Sequence, residues 1–340
     1  MNRKAPEGRT TNENATTHPA ETTGAAETAR RPAPRSWPVK SLFWTALIAA
    51  ACQKPDDGAP IPMPERYAAG GRWTVYEYST QAFSSPAPFL SGDDLTRHLQ
   101  GDLEFERNFV TWPSDLGGGG LGPLYIQTSC RNCHIRDGRA QPPEPGQQLS
   151  RSLGGLLLRL SLPGADERST PTPVPGFGGQ LQTRAIFGGM PEADVVVAYQ
   201  EHTVVLADGE TVSLRKPVYS IVSPYREWPA NAQISPRIAP PVFGLGLLEA
   251  VDENLIRALA DENDADGDGV SGKPNFVWDR RTQSYRLGRF GWKAGQPDLY
   301  AQTAAAYNHD MGVTNSLFPV ENCDGQSNCV GGRHDGLDLA

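Results

Sequence analysis

The chain has 340 residues, with 36 glycines and 30 prolines. That share excludes a long coiled coil or an all-helical bundle. A formal net charge of −8 argues against a general nucleic-acid binder, which needs a basic face. No apolar run approaches the roughly 18 residues of a membrane-spanning helix, which excludes a polytopic membrane protein.

In chain order, residues 1–36 are rich in Thr, Ala, Glu, Pro and Arg and lack apolar periodicity, so they read as a disordered leader. Residues 37–51 read as a signal peptide of the lipoprotein type. Arg35 and Lys40 flank the apolar run Leu42 to Ile48, and Ala49-Ala50-Ala51 precedes Cys52. Cys52 is then the lipidated residue, and the chain is exported and anchored to the surface of a bacterial membrane, in the periplasm. A plain signal peptide exports the chain as well. Residues 52–66 are polar and Pro-rich and read as a tether.

The body is expected over 67–340. Trp73 to Tyr78 alternates like a strand, and Asp94 to Phe109 has a helical pattern. Cys130-Arg131-Asn132-Cys133-His134 is C-x-x-C-H, the attachment motif of a c-type haem. Two thiols add to the two vinyl groups of one porphyrin, and the histidine becomes the proximal iron ligand. A helix is expected to start at the motif and stop near Gly138. Zinc and a redox dithiol are the alternatives for a C-x-x-C pair. Zinc lacks a second close ligand pair here, and Leu116 to Pro123 is a Gly-rich loop rather than a βαβ setting.

Leu156 to Leu162 is a short buried run. Val195 to Leu206 and Thr211 to Val222 flank Ala207-Asp208-Gly209-Glu210, a hairpin signal that predicts a β insertion at about 195–222. Asp252 to Ala260 reads as a helix with Asp252 as its N-cap. Asp264-Ala265-Asp266-Gly267-Asp268-Gly269 has alternating carboxylates before glycine, which makes Asp264, Asp266 and Asp268 candidate calcium ligands. The twelfth position is Asn275 rather than Glu, so the loop is not a full EF-hand. A helix is expected from Asp298 to Asn308, with Met311 just past its end. Met311 is the candidate sixth ligand of the iron, His309 is the runner-up, and an open position is the third option. Cys323 and Cys329 enclose five residues and are expected to pair in an exported chain. The fold class expected is mainly α with a β insertion: a loop-rich, cytochrome c-like haem module.

Several stretches together resemble the bacterial di-haem oxidoreductases, described as peroxidases or thiol oxidoreductases. They are Gly120-Leu121-Gly122-Pro123 before the haem motif, Phe177-Gly178-Gly179-Gln180-Leu181-Gln182, SPRIAPPVFGLGLLEA from Ser235 to Ala250, the Asp264 turn, Gly288-Arg289-Phe290-Gly291-Trp292-Lys293-Ala294, and Asp310-Met311-Gly312. The resemblance runs from about Gly117 to Val330. It implies a periplasmic haem oxidoreductase built from two cytochrome c-like modules, one relaying electrons and one cleaving peroxide. It also favours Met311 as the axial ligand. A second C-x-x-C-H is expected of that family, and the sequence contains only the one at Cys130 to His134. The expectation is a C-terminally truncated member, a chain whose second haem comes from another chain, or a single-haem derivative. One covalent haem c is expected in this chain, with calcium as a second candidate cofactor. The functional readings are a haem-dependent, peroxidase-like oxidoreductase, a single-haem electron-transfer lipoprotein whose acidic face docks a basic redox partner, and an inactive fragment. Arg237, Arg289, Trp292 and Lys293 are candidates to line the haem edge.

Overall fold

The computed structural model describes residues 70–111, 119–152, 154–166, 170–323 and 326. The leader, signal peptide, tether, Cys52 and Cys329 lie outside them. Cys323 is disulfide-bonded.

Among the described residues the order is α1 (Gly92–Glu106), β1 (Leu124–Tyr125), β2 (Leu156–Ser161), β3 (Arg184–Ala185), β4 (Asp194–Val205), β5 (Thr211–Val222), β6 (Gln233–Ile238), α2 (Leu245–Glu249), α3 (Glu253–Ala258), β7 (Phe276–Asp279), β8 (Ser284–Leu287) and α4 (Leu299–Met311). Strands hold more of these residues than α-helices do. This corrects the mainly α expectation. The architecture is a set of four small antiparallel two-stranded sheets, β1–β3, β2–β6, β4–β5 and β7–β8, with four helices around them.

The reason lies in β2 and β4. In β2, Leu156, Leu158 and Leu160 alternate with Leu157, Arg159 and Ser161, and the three odd-ranked leucines are buried. Their face packs with Val195 and Val197 of β4, and with Leu149, Val174, Phe177 and Leu181 from the connecting loops. The main core is therefore built from strands and loops. Only the first half of β4 takes part. Its far half and most of β5 stand clear of the body, with Val205 67% and Leu214 52% exposed. The hairpin turns at Gly209, whose φ of 89° suits glycine.

Three other expected elements differ. Trp73 to Tyr78 forms no strand; a 3-10 turn at Gly71–Trp73 leads into unpaired extended chain with Tyr78 86% exposed. The helix expected to reach Phe109 stops at Glu106, because Arg107 turns extended and delivers Phe109 to a buried site where its N–H meets the Thr128 carbonyl at 2.7 Å. The haem motif starts no α-helix. Cys130–Asn132 and Ile135–Asp137 are two separate 3-10 turns, and Arg136 and Asp137 have φ of 51° and 58°.

Helix α4 matches its sequence closely. The Asp298 side chain caps it by accepting from the Ala301 N–H at 2.9 Å. Ala301, Ala304, Ala305, Asn308 and Met311 form its buried stripe. Gly312 closes it in the left-handed conformation at φ 67°.

Candidate functional site

The haem motif is held from both sides in sequence. Upstream, the β1 segment runs against the C-terminal end of α4. Gly122 N–H donates to the Met311 carbonyl at 2.9 Å, and Ile126 N–H to the Asp310 carbonyl at 2.8 Å. The two chains touch at glycines. A Cβ on Gly122 would sit 2.2 Å from the Gly312 carbonyl oxygen, and one on Gly312 would sit 2.5 Å from that of Leu124. Downstream, Gly155 sits against Cys133, whose carbonyl oxygen would lie 2.8 Å from a Cβ there. Gly122, just ahead of the motif, is thus a close-packing requirement.

Cys130 and Cys133 are free thiols, half-buried. Burial, with the Asp310 charge second, pushes each thiol up to about 12. His134 points its Nδ1 at the Pro240 carbonyl, 2.7 Å away. A carbonyl can only accept, so Nδ1 carries the proton and Nε2 keeps its lone pair. Burial moves the His134 pKa down, which also favours the neutral ring. One apolar ring lies beside the imidazole. The Phe105 ring is 5.9 Å from it, and Phe83, which packs against Gly138, stacks on Phe243 at 4.5 Å. Phe83 and Phe243 nevertheless stay 46% and 51% exposed, and Ile135 56%.

Met311 is 2% exposed, in a cluster with Phe109, Leu121 and Val313, and Cys130 packs against that cluster. The sequence set Met311 just beyond its helix; it is the last helical residue, locked by the Gly312 cap. The neighbouring His309 turns elsewhere. Its Nδ1 accepts from Arg159 Nη1 at 3.2 Å, and its ring meets Phe318 edge-on at 5.3 Å. Burial, then the Arg159 and Arg280 charges, holds His309 down at about 3. Met190 is 52% exposed and His98 lies on the exposed helix α1.

Four residues that position this end of α4 were not singled out as site residues. Gln180 Nε2 donates to the His309 carbonyl and to Asp310 Oδ1, both at 2.8 Å. Gln182 Nε2 donates to the same His309 carbonyl at 2.9 Å. Burial of the Asp310 carboxyl raises its pKa. Arg184 ties the carbonyls of Leu149, Ser150 and Ser152 to that of Ile126, four residues before Cys130. The two glutamines in the FGGQLQ stretch were the available signal, since buried amides need partners.

The remaining candidates divide. Arg289 caps the carbonyls of Leu248, Glu249 and Val251, so it closes helix α2. Trp292 and Lys293 form a 3-10 turn, and Trp292 is 48% exposed. Arg237 is half-buried on β6. In the acidic turn, the carboxylates of Asp261, Asp264 and Asp266 come within 4.8 Å of one another. Asp268 does not join them; its carboxylate accepts from the Val270 N–H at 2.7 Å.

The family description "Di-haem oxidoreductase, putative peroxidase" matches residues 65–330. The chain belongs to this di-haem oxidoreductase family. No curated protein and no solved structure matches it. The family's description names haem oxidoreductases of a peroxidase kind. The residues present suit one haem of the attached kind: two free thiols on one turn, an imidazole with a free Nε2, and apolar rings left uncovered around it.

Proposed function

We propose that this di-haem oxidoreductase chain is an exported electron-transfer protein with one covalent haem c. The observation that carries the reading is the His134–Pro240 hydrogen bond beside the two free thiols. Cys130 and Cys133 form the thioether links, and His134 Nε2 is the proximal ligand. Met311 is the sixth ligand, supported by its place in a cluster shared with Cys130 and by the engagement of His309 with Arg159. The haem, when bound, supplies a one-electron ferric/ferrous couple, and Met/His ligation raises its potential. The chain's residues do the rest. Pro240 fixes the imidazole tautomer, and Gln180 and Gln182 fix the end of α4.

A peroxidase-like activity is the second reading, favoured by the family name. It requires a sixth position that opens. The acidic body suits a basic redox partner, and Cys52 suits a lipid anchor in the periplasm. The Cys323–Cys329 clip belongs to the same proposal. Calcium is assigned to Asp261, Asp264 and Asp266 in place of the Asp264, Asp266 and Asp268 set, because oxygens within 4.8 Å can share one ion at 2.3–2.6 Å.

The test is the spectrum of the full chain made with a c-haem maturation system. One haem per chain by pyridine haemochrome, with a Met–iron absorption that disappears in Met311→Ala, is expected. A high-spin haem that reacts with peroxide would favour the second reading. Absence of covalent haem would overturn both.

A further inference from the structure

The β2–β6 ribbon carries two arginines on the face away from the main core. In the register, Leu157 pairs with Arg237 and Arg159 with Ser235, so the two guanidinium stems are diagonal neighbours on one face. The opposite face holds the buried leucines. The arginine face looks toward the end of α4, where Arg159 reaches His309. The ribbon also leads directly into the haem site. Gly155, one residue before β2, touches Cys133, and Pro240, two residues after β6, holds His134.

Like charges placed side by side repel. Each arginine offers five donors. Arg159 spends one on His309, and Arg237 makes no hydrogen bond or ion pair among the described residues. The one carboxylate whose charge Arg159 feels is Asp310, already held by Gln180. Two cations therefore face one carboxylate. Neither guanidinium has a nitrogen sealed away without a partner. Salt bridges elsewhere in the molecule show the alternative arrangement: Arg286 is bound by both Asp279 and Asp298.

We propose that Arg159 and Arg237 form a carboxylate-binding site at the edge of the haem pocket, with a haem propionate as its occupant. This rests on the haem reading above. Arginine suits the task because its planar fork matches a carboxylate. A soluble carboxylate is the other source of the same chemistry.

The test uses the full chain made with the maturation system, as wild type, Arg159→Gln, Arg237→Gln and Arg237→Lys. Haem per chain is counted first, and the ferrous-to-ferric ratio is then titrated in carboxylate-free buffer. With the propionate in place, loss of either cation lowers that ratio about tenfold at a fixed potential, equivalent to 59 mV for one electron, and lysine at 237 restores most of it. The same titration is repeated with sodium acetate. A wild-type ratio that responds to acetate, with the response lost in both glutamine variants, assigns the site to a soluble carboxylate. Equal haem content with unchanged ratios in both buffers overturns the proposal. Should the wild type carry no haem, the haem reading fails separately, and the melting temperature of the haem-free chain in acetate decides. A rise in wild type that Arg237→Gln lacks supports the carboxylate site, and no rise overturns it. Should Arg159→Gln not fold, the Arg237 pair carries every comparison.

Discussion

The β core and the haem-motif region solve the same problem in different ways. Around β2 and β4, alternate side chains meet their own kind, and Leu158, Val195 and Phe177 are at most 1% exposed. Around Cys130 to Gly138 the backbone makes two short turns, and the apolar rings beside them stay about half uncovered. The first region is closed by the chain alone. The second presents apolar surface, free thiols and a directed imidazole that a bound group would complete. Stability and chemistry are thus placed in neighbouring but separable parts.

Four experiments press on that contrast. The largest effect is expected from Cys130→Ala with Cys133→Ala. Covalent haem should be lost entirely, read as haem stain after denaturing electrophoresis, while the far-ultraviolet circular dichroism of the strands persists. Loss of both signals together would show that the two regions are one cooperative unit. Next, Gly122→Ala should cost about 3 kcal/mol in urea unfolding, because its Cβ meets a backbone carbonyl that cannot swing aside. Leu158→Ala in the β core should cost a similar amount, about 3 kcal/mol, by leaving a cavity. Unlike the cysteine pair, it should leave haem attachment intact.

The third concerns pH. His309 is held at about 3 in the fold against 6.5 when free, chiefly by burial. Below pH 6.5 the unfolded chain takes up a proton that the folded chain refuses. Stability is therefore complete above pH 6.5 and falls as pH drops toward 3, by at most about 1.4 kcal/mol per pH unit. Urea midpoints at pH 7 and pH 5 should show the fall, and His309→Asn should flatten it. The smallest effect belongs to the hairpin tip. Leu214→Thr should move stability by less than about 0.5 kcal/mol, read as the melting temperature, since that side chain is 52% exposed.

Much of the site was legible because its chemistry is local. C-x-x-C-H names its own candidate atoms, Pro297 and the Gly312 stop frame α4, and Asp208-Gly209 gives the hairpin. What the sequence hid was non-local. The partner of His134 lies 106 residues away in Pro240. The glycines at 122 and 312 acquire meaning only when the two segments touch. Asp261 joins the acidic cluster through chain folding, while the alternating pattern pointed to Asp268. The fold class was misread for a related reason. A haem motif suggested helices, but the leucines of β2 are buried by strands and loops distant in sequence.

The half-buried thiols of Cys130 and Cys133 bear on the order of events in the protein's making. With both held up at about 12 against 9 when free, the reactive thiolate is roughly a thousandfold scarcer in the closed fold than in the open chain. On the haem reading proposed above, thioether formation is fastest before the fold closes around the cysteines. On that reading attachment belongs to the unfinished chain, and folding acts as the latch that ends the window for it.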